Sequence, residues 1–167
     1  IGVDLSHAAI DRGNAMRAKL GLDNLSLIAA DLLTWDPGDQ PFDYVIAHGF
    51  YSWVPPVVRD RLLNLCNEVM APDAIACISY NALPGCHMRR MLWDMLKFHA
   101  GGIEDPAARV ESAQEFLQLL KSGLPEGSLY ATTMSGEIDE LSERLDPNVL
   151  FHDDLAEIND PFTLDQF

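Results

Sequence analysis

Residues 42–56, FDYVIAHGFYSWVPP, decide the fold. Tyr44-Val45-Ile46-Ala47 is a short, unbroken apolar run, the pattern of a strand buried on both faces. His48-Gly49 ends it, and Pro55-Pro56 opens a helix whose apolar face is Val58, Leu62, Leu65 and Val69. Pro72-Asp73 is expected to break that helix, and Ala74 to Tyr80 reads as the next strand. Pro84-Gly85 then turns the chain into a Met-rich helix from about Met88 to His99.

The same alternation runs upstream. Ile1-Gly2-Val3 is a strand end closed by Asp4, and Ser6 is placed to cap a helix. Ala9, Ile10, Gly13, Met16 and Leu20 recur at near-helical spacing, and Gly21 stops them. Ser26 to Ala30 is a second strand, ending at Asp31, and Pro37-Gly38-Asp39 is a turn. Apolar strands between amphipathic helices imply a Rossmann-like, doubly wound parallel sheet covered on both faces, an α/β fold. Residues 101–167 lose the strands. Helices are expected at Glu104 to Lys121, Leu129 to Leu145 and Val149 to Ile158, and Asp160-Pro161-Phe162 begins a further element.

Composition bounds the function. The 167 residues are 48% hydrophobic and 22% charged, enough to bury a core, which excludes disorder and coiled coil. The net charge of −15 argues against sequence-independent binding to nucleic acid or anionic membranes, which needs clustered Lys and Arg. That charge is uneven. Residues 1–100 carry 8 basic and 11 acidic groups, a net −3, and residues 101–167 carry 3 and 15, a net −12. No apolar run approaches a membrane span of roughly 20 residues. Cys66, Cys77 and Cys86 are odd in number and lack CxxC spacing, which fits a reduced cytoplasmic protein without a zinc site. Cys66 and Cys77 fall at expected core positions of a helix and a strand. The scattered histidines form no metal pattern.

Ligands of doubly wound sheets bind beyond the carboxyl ends of the strands. Asp4 stands at such an end, where a carboxylate accepts both hydroxyls of a ribose or opposes a helix macrodipole. Asp31 ends the next strand. It either accepts an exocyclic adenine amine, with Leu32 as an apolar wall, or is a solvated strand-end residue. As a pair about 27 residues apart on successive strand ends, the two favour the reading of ribose plus adenine. His48, Tyr51 and Trp53 follow the third strand in a loop that lines a pocket or covers the sheet edge. His48 takes a proton or hydrogen-bonds locally. Tyr80 and Asn81 orient an acceptor or make turn chemistry.

Taken together, IGVDLS, AADLLTW, FDYVIAHGFYSWVP and ISYNALPGCHMR resemble the class I S-adenosylmethionine-dependent methyltransferases, in particular the bacterial branch with a C-terminal methyltransferase regulatory domain, which includes rickettsial protein-lysine methyltransferases. The resemblance implies that Asp4 and Leu5 meet the ribose and that Asp31 and Leu32 meet the adenine. Ala47 and His48 then lie along the methionine part of S-adenosyl-L-methionine, and Tyr51, Trp53, Tyr80 and Asn81 face the methyl acceptor. His48 and Tyr51 are the candidate catalytic residues. The acceptor is a protein side chain, lysine among them, or a small molecule. Residues 1–100 are a partial methyltransferase domain, and residues 101–167 an acidic helical linker and the start of a regulatory domain acting in cis. Oligomeric state is not readable.

Two other classes compete. Asp4 alone also suits a nicotinamide-dependent oxidoreductase, although Asp31-Leu32 and the aromatic loop count against it. A non-catalytic methyltransferase fold, with the acidic arm as a docking surface, is the third. The resemblance also implies a first strand and a glycine-rich loop ahead of Ile1, with that strand seated between those ending at Asp4 and Ala47. Without it both neighbours keep unpaired backbone. The 167-residue chain alone is therefore expected to be poorly stable and to bind S-adenosylhomocysteine weakly or not at all. Calorimetric titration checks this, and micromolar binding by the chain would overturn it.

Overall fold

A computed structural model of the chain describes residues 1–143 and 150–167. They form two compact units. One comprises 1–48 and 54–78, and the other 49–53 and 79–167.

In the first unit, β1 (Gly2–Asp4) leads into α1 (His7–Leu20) and β2 (Leu27–Ala29). Helix α1 forms where the sequence marks it. The Ser6 hydroxyl accepts the Ala9 N–H, and Gly21 ends the helix at φ 65°, a left-handed conformation that an L side chain rarely adopts. β1 and β2 pair in parallel, Val3 opposite Ile28. β3 (Phe42–Ala47), α2 (Pro56–Val69) and β4 (Met70–Ile78) make the second parallel pair, and Leu62, Leu65, Cys66 and Val69 of α2 are buried. The fold is a partial Rossmann-like α/β arrangement.

The strands form two parallel pairs, and among the described residues no ladder joins β1 to β3, in keeping with the expected gap between the strands ending at Asp4 and Ala47. Three expectations change in this unit. Pro72-Asp73 does not separate helix from strand, because β4 begins at Met70, directly after α2. The ladder steps from Phe42 opposite Met70 to Tyr44 opposite Ile75, so the β4 side loops out over Pro72, which has no N–H to give. β4 also stops at Ile78, before Tyr80. The pair is not covered on both faces. Tyr44 pairs with Ile75 and Ile46 with Cys77, which sets these four on one face. All four are exposed, Ile46 at 72%, so Cys77 is not a core thiol. Cys66 is buried, and desolvation pushes its thiol pKa up.

In the second unit, α3 (His87–Ala100), α4 (Pro106–Ser122) and α5 (Leu129–Glu143) enclose one apolar core built from Leu92, Leu96, Ala113, Leu117, Met134 and Ile138. The Asp105 carboxylate caps α4 through the Ala108 N–H at 2.8 Å. One turn on, Arg109 donates to the carbonyls of Ala100 and Gly101, which closes the C-terminus of α3. The expected end of the second arm helix, at Leu145, lies outside the described residues. In place of a helix to Ile158 there is a single π turn, Leu150–Asp154, closed by the Leu155 N–H on the Leu150 carbonyl at 3.0 Å. The wide turn puts Leu150 and Leu155 into the core together, and the buried Asp154 carboxylate accepts from Arg89 (2.9 Å) and Trp93 (2.7 Å). Phe162 forms a parallel bridge to Ala82.

Leu96 is fully buried and Ile46 is not. Leu96→Ala is expected to cost about 2–5 kcal/mol in denaturant unfolding, and Ile46→Ala within about 0.5 kcal/mol of nothing. Equal losses would show that the helical core does not hold its unit.

Candidate active site

Parallel pairing aligns the carboxyl ends of β1 and β2. Asp4 is opposite Ala29, and its carbonyl accepts the Ala30 N–H at 3.0 Å, one residue before Asp31. The two acids therefore stand at the same edge. Their side chains behave alike. Asp4 Oδ1 accepts the Ser6 N–H at 2.7 Å, and Asp31 Oδ1 accepts the Leu33 N–H at 2.9 Å. Each carboxylate is thus held by the backbone two residues on, as short polar side chains do in turns. Each residue is exposed, and each second oxygen accepts nothing from the described residues. The Asp31 carbonyl also accepts from Thr34 and Trp35, fixing the turn that carries the half-buried Leu32. Leu5 is exposed. Two anchored carboxylates with outward oxygens fit ribose hydroxyls and an adenine amine, which donate hydrogen bonds.

Ala47 ends β3 opposite Ile78 of β4, and His48 is exposed just beyond it. Among the described residues no three His, Cys, Asp or Glu come together as a metal site, and no helix is long and apolar enough to cross a membrane.

The acceptor candidates Tyr51, Trp53, Tyr80 and Asn81 all belong to the second unit. Gly49 enters it at φ 62°, and its N–H donates to Ser79 Oγ at 2.8 Å. Tyr51, 6% exposed, lies on a short 3₁₀ turn with Ser52 and Trp53. Its ring meets Phe162 and Phe167 edge-on, with centroids 5.3 and 5.0 Å away, and Tyr80 stacks on Phe167 at 4.6 Å. The Trp53 indole nitrogen is buried and has no hydrogen-bond partner among the described residues. Asn81 is tied on three sides. Its N–H donates to Ser52 Oγ (2.8 Å), its Nδ2 to Asn159 Oδ1 (2.8 Å), and its carbonyl accepts the Phe162 N–H (2.9 Å).

Sequence reasoning missed Ser52, Ser79, Asn159, Phe162 and Phe167. Ser52 and Ser79 adjoin residues that were singled out, and a hydroxyl beside a strand end is a signal that could have found them. Asn159 lies 78 residues from Asn81, and no local pattern announces that pair.

Residues 1–73 match a methyltransferase domain family. Two proteins of Rickettsia prowazekii (strain Madrid E) align with the whole chain. RP789 is 35% identical over 168 residues, with 30% of its length covered, and RP028 is 33% identical over 168 residues, with 67% of its length covered. The chain belongs to the class I S-adenosylmethionine-dependent methyltransferases. Within that class it is similar to PKMT2 from Rickettsia typhi, at 32% identity over 97% of this chain, with a TM-score of 0.79 to the structure in complex with AdoHcy and 0.76 to a second structure. The chain spans 31% of the length of PKMT2 in the first, so it corresponds to under a third of that protein.

Ser52 is fully buried. Ser52→Ala leaves the Asn81 N–H without its acceptor, at an expected cost of about 1–3 kcal/mol. Hydrogen exchange at the Asn81 amide should accelerate accordingly. Unchanged protection would mean that Ser52 does not hold this loop.

Proposed function

We propose that the protein transfers a methyl group from S-adenosyl-L-methionine to a protein side chain, lysine among the candidates, or to a small-molecule acceptor. The observation that carries this is the pair Asp4 and Asp31, anchored side by side at the carboxyl ends of adjacent parallel strands. PKMT2 from Rickettsia typhi, a similar structure, is in complex with AdoHcy, which supports the same ligand class here.

When bound, the cofactor supplies an already activated methyl group, so the chain's own residues have to align, desolvate and, for an amine, remove a proton. Asp4 accepts from the ribose hydroxyls with Leu5 beside it. Asp31 accepts from the adenine amine, and Leu32 offers an apolar wall. Ala47 and His48 follow the methionine part. The exposed imidazole of His48 is the proton acceptor in this reading. Tyr51, packed among three other rings, is the second candidate to assist that proton and, with Trp53, Tyr80 and Asn81, an acceptor-side residue.

Residues 1–100 are then a partial methyltransferase domain, and the acidic helices of 101–167 a linker and the start of a regulatory domain acting in cis. Cys66, Cys77 and Cys86 are all free, which supports a cytoplasmic setting. The absence of a basic stripe in the sequence supports a protein or small-molecule partner over nucleic acid or membrane.

Asp4→Ala and Asp31→Ala in the full-length protein are each expected to weaken S-adenosylhomocysteine binding by about 1 kcal/mol or more in calorimetric titration. If neither does, the pocket is elsewhere. Radiolabelled methyl transfer to protein and small-molecule acceptors tests the reaction itself.

A further inference from the structure

The amide of Asn81 is oriented by a chain of hydrogen bonds that begins at a backbone carbonyl. Asn159, 8% exposed, donates from Nδ2 to the Asp153 carbonyl at 3.0 Å. A carbonyl only accepts, so this bond decides which way round the Asn159 amide sits. Its Oδ1 must then face Asn81, which has to present Nδ2, and it does so at 2.8 Å. The Asn81 backbone is spent as well, its N–H on Ser52 Oγ and its carbonyl on the Phe162 N–H. One group is left over. Asn81 Oδ1 accepts no hydrogen bond from the described residues and is not a buried atom.

We infer that Asn159 is a positioning residue that leaves the Asn81 side-chain oxygen as an acceptor-only contact, and that the group docking on it is a hydrogen-bond donor, N–H or O–H. A free asparagine offers either end of its amide and so discriminates poorly between donors and acceptors. With Asn159 in place the donor end is taken, and a ligand without N–H or O–H leaves the oxygen unpaired on desolvation. The inference rests on the reading of Asn81 as an acceptor-side residue, and it requires the docked group to keep a hydrogen on its nitrogen or oxygen.

The test uses full-length protein labelled with 15N-asparagine, the Asn81 side-chain signal being identified by its loss in Asn81→Asp. Two cations of equal charge are titrated, n-butylammonium, which carries N–H, and butyltrimethylammonium, which does not. Butylammonium should shift the Asn81 signal and bind about tenfold tighter than its methylated counterpart. Asn159→Ala should abolish that preference. Asn159→Asp keeps an oxygen toward Asn81, so it should retain the preference while lowering the melting temperature by setting an oxygen against the Asp153 carbonyl. Equal binding of the two cations, no shift with either, or a preference that survives in Asn159→Ala overturns the inference. So does its loss in Asn159→Asp in step with stability. S-adenosylhomocysteine titration of the same sample reads the cofactor proposal separately. Cofactor binding without cation discrimination sinks the relay alone, and discrimination without cofactor binding sinks the methyltransferase reading alone.

Discussion

A single buried serine joins three distant parts of the second unit. Ser52 takes the Asn81 N–H on its hydroxyl and the Asp160 N–H on its carbonyl, at 2.8 and 2.9 Å, with no exposure to solvent. The buried hydroxyl and carbonyl of Ser52 have to be satisfied, so these two bonds constrain everything attached to them. The loop after β3, the turn after β4 and the segment after the π turn converge there. The ring cluster of Tyr51, Tyr80, Phe162 and Phe167 and the Asn81–Asn159 relay both lie within a few residues of that point.

The first unit rests on a different constraint, parallel register. Because β1 and β2 run the same way and start nearly level, their ends coincide, and two acids far apart in sequence become neighbours at one edge. Backbone N–H groups hold one oxygen of each and leave the other turned out. In the proposed reading this edge takes ligand hydroxyls and amines, and carboxylates already held by the backbone lower the ordering cost of binding.

What could be read in the sequence was local. Ser6 and Gly21 bracket α1, Pro56 starts α2, and Asp4 and Asp31 sit at strand ends, because caps, turns and apolar runs act over a few residues. The strand-to-helix alternation was enough for the fold class. What could not be read was mostly long range or depended on which surfaces are covered. Cys77 and Ile46 look like core in a continuous apolar run, and a strand lies in the core only where something packs on that face. The π turn at Leu150–Asp154 has the composition of a helix, but Arg89 and Trp93, some sixty residues earlier, pull Asp154 inward. The candidate cofactor edge was legible for the same reason the helices were. The proposed acceptor side was legible only as a list of residues, since the groups that tie Asn81 and the rings come from the far end of the chain.

The step in charge at Gly101-Gly102 invites the acidic arm to be treated as an exchangeable module. The bridge between Ala82 and Phe162 and the bonds from residues 159–162 to Ser52 and Asn81 run across that step. A chimera joined at residue 101 would import helices with the right composition and orphan the turn after β4. The modular seam for recombination has to keep 159–162 matched to 49–53 and 79–85, whatever helices are grafted between them.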